Sequence, residues 1–148
     1  PRETRQMIES QYTQAIHKKL PPHIYKWKIN DSFAGGVPDA FYRNLKSVNG
    51  RPLWIEYKFL KTLPKRDETL IIPELSAQQL VWLKQAKAAG ERAWVIIGCE
   101  ELKCSRRATG VILDTVEQWE NGLTTAEFKE RASFQHYGTI AAKIQNAL

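Results

Sequence analysis

Cysteine is scarce in this chain: Cys99 and Cys104 are the only two in 148 residues. That excludes a disulfide framework, and neither has companions at metal-ligand spacing. Both are expected to be reduced and structural, Cys99 at a strand end and Cys104 in a loop. Long apolar runs are lacking too. The longest, Ala93 to Ile97, suits a buried strand and is far too short to span a bilayer. Pro1-Arg2-Glu3-Thr4-Arg5 is not the apolar segment of a secretory signal, so a cytoplasmic protein with no membrane partner is expected. No repeat, low-complexity tract or linker interrupts the chain, and its length fits one domain over residues 1–148.

What is present is ordinary for a globular protein: 43% apolar and 26% charged residues. The balance of 22 Lys and Arg against 16 Asp and Glu leaves a net charge of +6. A basic surface attracts polyanions, either nucleic acid or an anionic membrane.

Met7, Ile8, Tyr12, Ala15, Ile16 and Leu20 recur at helical spacing, which predicts a helix from Thr4 to Leu20. Thr4 can cap it, and Pro21-Pro22 ends it. Ile24 to Ile29 alternates apolar and basic side chains and reads as a strand. Ala34-Gly35-Gly36 is a loop. Pro38 to Arg43 is a second strand, Asn49-Gly50 a hairpin turn, and Leu53 to Leu60 a third strand. Thr62 to Pro73 reads as a flexible loop. A helix from Ser76 to Ala89 stops at Gly90. Ala93 to Cys99 and Ala108 to Leu113 are further strands. Asp114 to Glu120, Thr125 to Ala132 and Tyr137 to Ala147 form a helical C-terminal extension. The expected fold is α/β, a mixed sheet flanked by helices in the order α-β-β-β-α-β. Short turns imply antiparallel pairing of the first three strands, and the crossover helix implies a parallel pair.

Glu56 and Lys58 share one face of a largely apolar strand, opposite Ile55, Tyr57 and Phe59. Two charges in a core strand are costly unless a metal, partner or substrate compensates them. Asp39, at the start of the neighbouring strand, is placed to converge on Glu56. Carboxylates provide hard oxygen ligands for magnesium or manganese, which make hydroxide available for phosphodiester hydrolysis. A lysine beside them can orient water and offset developing charge. The blander readings are a turn aspartate after Pro38 and a Glu56–Lys58 ion pair on an exposed strand; Trp54, Ile55 and Leu60 weigh against the latter.

Pro38-Asp39 with Glu56-Tyr57-Lys58 resembles the PD-(D/E)XK nuclease superfamily. Gly36-Val37-Pro38-Asp39 and Leu75-Ser76-Ala77-Gln78-Gln79 resemble motifs of its VRR-NUC branch, over roughly Thr4 to Cys99. The resemblance implies a restriction-endonuclease-like core and a Mg2+-dependent endodeoxyribonuclease, with Mn2+ as substitute. It implies catalytic roles for Asp39, Glu56, Lys58 and Gln79, and metal ligands Glu9, Asp39, Glu56 and the Tyr57 backbone carbonyl. Glu3 rivals Glu9, and Gln78 rivals Gln79. Gln79 is also the third helical residue of a Ser76 capping box. As an amide it would hydrogen-bond near water or phosphate and could not serve as a general base. Lys61, Lys65, Arg66, Arg106 and Arg107 are the expected DNA contacts, beside further charge from Lys26 and Lys28. His17, His23 and His136 have no assigned role.

Branched DNA, a Holliday junction or flap, is the substrate the resemblance implies, in a bacterial or phage-infected cell. Two matched cuts in one junction favour a homodimer. Trp119, Leu123, Phe128, Phe134, Tyr137, Ile140 and Ile144 either cover the sheet within the monomer or form an isologous interface. The rival functions are a non-catalytic DNA-binding module with a relic site and a restriction-type endonuclease.

Overall fold

The computed structural model describes residues 2–29, 35–104 and 107–148, and the side chains among them except those of 2–8, 103 and 104. The Thr4 cap, Met7, Ile8, the Glu3 side chain and Arg106 lie outside the described residues or side chains.

Helix α1 (Arg2–His17) precedes β1 (Ile24–Lys28), β2 (Ala40–Asn44) and β3 (Leu53–Leu60). After a two-residue strand β4 (Leu70–Ile71) comes α2 (Ala77–Ala88), then β5 (Arg92–Cys104) and β6 (Arg107–Leu113). The chain closes with α3 (Val116–Asn121), β7 (Leu123–Thr124), α4 (Thr125–Ala132) and α5 (Tyr137–Ala147). The main sheet runs β1-β2-β3-β5-β6. β1, β2 and β3 are antiparallel, β3 and β5 parallel, and β5 and β6 antiparallel. This is the mixed sheet flanked by helices that the hydrophobic pattern predicts, with α2 as the crossover. Among the described residues, no helix is long and apolar enough to cross a membrane.

Each sheet face has its own core. On one, Tyr12, Ile16 and Leu20 pack with Ile140, Ala141 and Ile144 over Ile55, Tyr57 and Phe59. Full burial of each large side chain contributes about 1.5–3 kcal/mol. Tyr12 enters a socket formed by Gly98 and Gly110, register partners on β5 and β6. A Cβ at Gly98 would lie 2.7 Å from the Tyr12 ring, so no larger residue fits beneath α1 there. On the other face, Leu83, Val95, Ile97, Trp119, Phe128 and Ala132 pack together.

The C-terminal extension therefore wraps both faces of its own sheet. Trp119, Leu123 and Phe128 are buried on one side and Ile140 and Ile144 on the other. Tyr137 packs against the α1-side core, its ring centroid 5.7 Å from that of Tyr12. Phe134, at φ 62° and 79% exposed, lies between them where the chain changes face. Of the apolar set that could have formed a dimer interface, only Phe134 remains free on the surface.

Three local expectations need correction. Asn49-Gly50 does not form a two-residue hairpin turn. β2 ends at Asn44, β3 starts at Leu53, and Gly50 is not among the positive-φ residues that a type I′ turn demands. The Asn44 side chain instead accepts from the Lys46 amide and turns the chain early. Cys104 lies in β5, because that strand continues through a bulge between Cys99 and Lys103. The loop before α2 is anchored: Thr125 N and Ala126 N donate to Thr69 O and Asp67 O, and Lys129 pairs with Asp67.

His17 accepts or donates a 2.7 Å hydrogen bond with the Tyr42 hydroxyl, which lies 2.6 Å from that of Tyr57. Burial, with the charges of Lys26 and Lys28, pushes the His17 pKa down from 6.5 to about 4. The unfolded chain then binds a proton that the folded one refuses between these two values. Stability should therefore fall as pH drops from about 6.5 to 4. Urea denaturation of wild type and His17→Phe across this range checks it. The variant's curve should lose part of that slope, and identical slopes would refute the assignment. His136 has a plainer role: its Nδ1 accepts from Gly138 N and caps α5.

Candidate active site

The alternation of β3 decides which groups meet. Ile55, Tyr57 and Phe59 fill the α1-side core, while Trp54, Glu56, Lys58 and Leu60 face α2. Glu56 is only 2% exposed. The β2–β3 ladder ends at Ala40 opposite Ile55. Beyond it, Asp39 Oδ2 accepts from Tyr57 N at 2.8 Å and replaces the next rung. In a strand the N–H and C=O of one residue point to the same edge. The Tyr57 carbonyl therefore opens on the Asp39 side, past the end of the ladder.

Gly36 brings Asp39 to α2. Its φ of +92° is costly for any other residue, and a Cβ there would lie 2.5 Å from the Gln78 carbonyl. The loop before Pro38-Asp39 can press on the first turn of α2 only because that position is glycine.

On that first turn, Gln79 closes the cap and also reaches the acidic pair. Gln79 N donates to Ser76 Oγ, and Ser76 N donates to Gln79 Oε1, closing the capping box. The same Oε1 accepts from Lys58 Nζ at 3.3 Å, and Nε2 donates to Glu56 Oε2 at 3.0 Å. The cap thus fixes the rotamer that clamps the carboxylate. Gln78, the rival, is exposed and lies over Gly35. The sequence alone points to Ser76 as a cap and no more. Its amide also holds the Gln79 carbonyl oxygen in place, and the capping-box spacing was the available signal.

Burial and the adjacent Asp39 carboxyl push the Glu56 pKa well above the usual carboxylate range, and Lys58, 3.5 Å away, opposes this in part. Burial also raises the Asp39 pKa, against the hydrogen bond from the Tyr57 amide. Glu56 Oε1 is buried with no donor within reach. One oxygen of the carboxyl is held by Gln79 and Lys58, and the other faces the Asp39 carboxyl, so the pair must share a proton or a cation. A hard divalent cation between Asp39 and Glu56 would meet that need.

Glu9 is half-buried on α1, and its charge adds to the field on Glu56 as the smallest named influence. Among the described residues, no three His, Cys, Asp or Glu side chains are gathered as a metal cage. The donors present still fit magnesium, which keeps several waters and needs only one or two carboxylates besides phosphate oxygens.

Lys61, Lys65, Arg66 and Arg107 are all exposed. Lys61, Lys65 and Arg66 follow β3 directly, at the end of the sheet that carries Lys58. There a cavity of about 360 Å³ opens between Lys58 and the anchored loop, walled by Leu60, Leu63, Pro64, Ile72 and Pro73.

The sequence matches no family model and no curated protein. Among solved structures, the chain is similar to Archaeoglobus fulgidus Hjc, described as a Holliday junction resolvase from an archaeal hyperthermophile. The two share 14% identity with a TM-score of 0.46, over 95% of this chain and 97% of that one.

Proposed function

We propose that this chain is a divalent-metal-dependent DNA endonuclease of PD-(D/E)XK type, in the VRR-NUC branch. One observation carries the reading: a buried Glu56 beside Asp39, with one oxygen clamped by Gln79 and Lys58 and the other without a donor. A structural ion pair would not set two carboxyls against each other in a buried site, where they must share either a proton or a cation.

Asp39, Glu56 Oε1, the Tyr57 carbonyl and, from α1, Glu9 would hold Mg2+, or Mn2+ in its place. When bound, the ion supplies a polarised phosphate oxygen and hydroxide near neutral pH. The chain's own residues do the rest. Gln79 holds Glu56 in one rotamer and keeps Oε1 open. Lys58, tethered to Gln79 and Glu56, aims its ammonium where the attacking water and the phosphate must lie. Gln79 accepts and donates but takes up no proton, so it positions rather than acts as a base.

Branched DNA is the proposed substrate, and a homodimer would give a junction two matched cuts. Apart from Phe134, the C-terminal apolar groups pack within the monomer, so a dimer would draw mainly on another surface. Labelled linear, flap and four-way-junction DNA, incubated with Mg2+, Mn2+ or EDTA, tests the reading. Metal-dependent cleavage of branched DNA is expected. No cleavage with either metal would leave a DNA-binding module, and equal cutting of plain duplex would remove the branched preference.

The exposed Lys61, Lys65, Arg66 and Arg107 should make binding fall steeply with salt; Arg106 lies outside the described residues. Replacing Lys65 and Arg66 by glutamate should flatten the log–log slope by up to about 2, at roughly 0.9 for each phosphate no longer neutralised. Anisotropy titrations across salt concentrations measure this, and an unchanged slope would place the DNA path elsewhere.

A further inference from the structure

An aromatic row crosses the same sheet face as the acidic pair. Trp27, Phe41 and Trp54 are register partners on β1, β2 and β3. Ring centroids lie 6.5 Å apart for Trp27 and Phe41, and 4.8 Å for Phe41 and Trp54. Trp82 of α2 continues the row, 5.0 Å from Trp54. Tyr25 stands one step outside, 6.5 Å from Phe41, and the Arg43 guanidinium lies 5.4 Å over the Phe41 ring.

The inner end of this row packs α2 onto the sheet. The outer end lacks that explanation. Trp27 is 50% exposed and Tyr25 44%, both on the edge strand. Both rings pack on Phe41 and so form one contiguous exposed patch, and such patches mark contact surfaces. The row's address is specific. Trp54 and Glu56 share a face of β3 two residues apart, a separation of about 6.7 Å, and Asp39 lies just before β2, two residues from Phe41.

We propose that Tyr25 and Trp27, backed by Phe41 and flanked by Arg43, form a stacking platform for unpaired DNA bases of the strand that enters the acidic site. It rests on the nuclease reading for its place beside the cut. Stacking on aromatic faces accepts any base, and a guanidinium at the platform's edge suits the adjoining phosphate. A second copy pairing through this edge fits less well. β1 also carries Lys26 and Lys28, and like charges along an edge strand oppose pairing with its own twin.

The test is anisotropy of a labelled oligothymidylate with the full chain in EDTA, where cleavage is suppressed. Trp27→Ala should weaken binding about 5- to 150-fold, and Tyr25→Ala should weaken it in the same direction. Trp27→Phe, which keeps a ring, should restore most of the affinity. Unchanged affinity in both alanine variants, with wild-type melting curves, overturns the platform. So does a fall in light-scattering mass in Trp27→Ala with unchanged oligonucleotide affinity, since the face would then join two copies. The two readings fail separately. A chain that binds oligothymidylate through Trp27 yet cuts nothing with Mg2+ loses the nuclease and keeps the platform; one that cuts while binding independently of Trp27 loses only the platform.

Discussion

Glu56→Gln is expected to abolish cleavage while raising thermal stability in the absence of metal. The carboxyl is 2% exposed, lies beside Asp39, and has one oxygen without a donor. Its pKa is raised by burial and by Asp39. The folded chain therefore holds a proton that the unfolded chain releases above about pH 4.5. Stability is lost as pH rises through that window, and a neutral amide removes the loss. The amide can accept from Gln79 and donate to Asp39. The gain should reach about 1 kcal/mol, or roughly 2–4 °C in Tm, and should be larger at pH 8 than at pH 6. Cleavage should fall on the order of 10³-fold or more, because a ligand charge is gone. Mg2+ should raise the Tm of wild type and leave that of the variant nearly unchanged. Calorimetry at the two pH values, with Mg2+ or EDTA, measures the stability effects, and a nicking assay measures the cleavage. A variant less stable than wild type in EDTA would show that the carboxylate is compensated by groups other than a cation.

Lys58→Ala should separate chemistry from metal binding. The ammonium has no lone pair to offer a cation; it donates to Gln79 Oε1 and pairs with Glu56. Its removal should lower the cleavage rate by roughly 10²–10³-fold, the usual cost of losing one aimed donor. Manganese affinity, by calorimetric titration, should be unchanged or tighter, since a positive charge beside the carboxylates has gone. Folding should persist, because the Gln79 cap through Ser76 does not depend on the lysine. Disappearance of manganese binding together with the lysine would mean that Lys58 shapes the site instead of acting on water or phosphate.

Strong periodic patterns translated directly into structure. β3 runs from Leu53 to Leu60 as its alternation predicts, and α2 starts after its Ser76 cap and ends before Gly90. Short-range turn chemistry was the weaker guide. Asn49-Gly50 gave way to Asn44, whose side chain reaches the backbone two residues on. Turns depend on a few weak local bonds, so a competing interaction displaces them easily.

The acidic site divides in the same way. Parity along one strand places Glu56 and Lys58 on a common face, and the burial of Glu56 goes with its apolar strand. Sequence by itself therefore determined that two charges would sit inside a core strand with a carboxylate at the neighbouring strand's mouth. It also determined both readings of Gln79, since a capping box and a site amide ask for the same residue at the same spacing. Only the tertiary structure decided that the capping amide also reaches Glu56 and Lys58, because this requires β3 and the first turn of α2 to pack against each other. It decided how Glu9 comes near enough to act on Glu56, since the seating of Tyr12 against Gly98 and Gly110, and not the helix's own pattern, places α1 on the sheet. It placed the C-terminal apolar groups on the two faces of their own sheet. And it aligned Trp27, Phe41 and Trp54, which lie 14 and 13 residues apart in sequence, into one row: strand register is a property of paired backbones, and no single segment contains it.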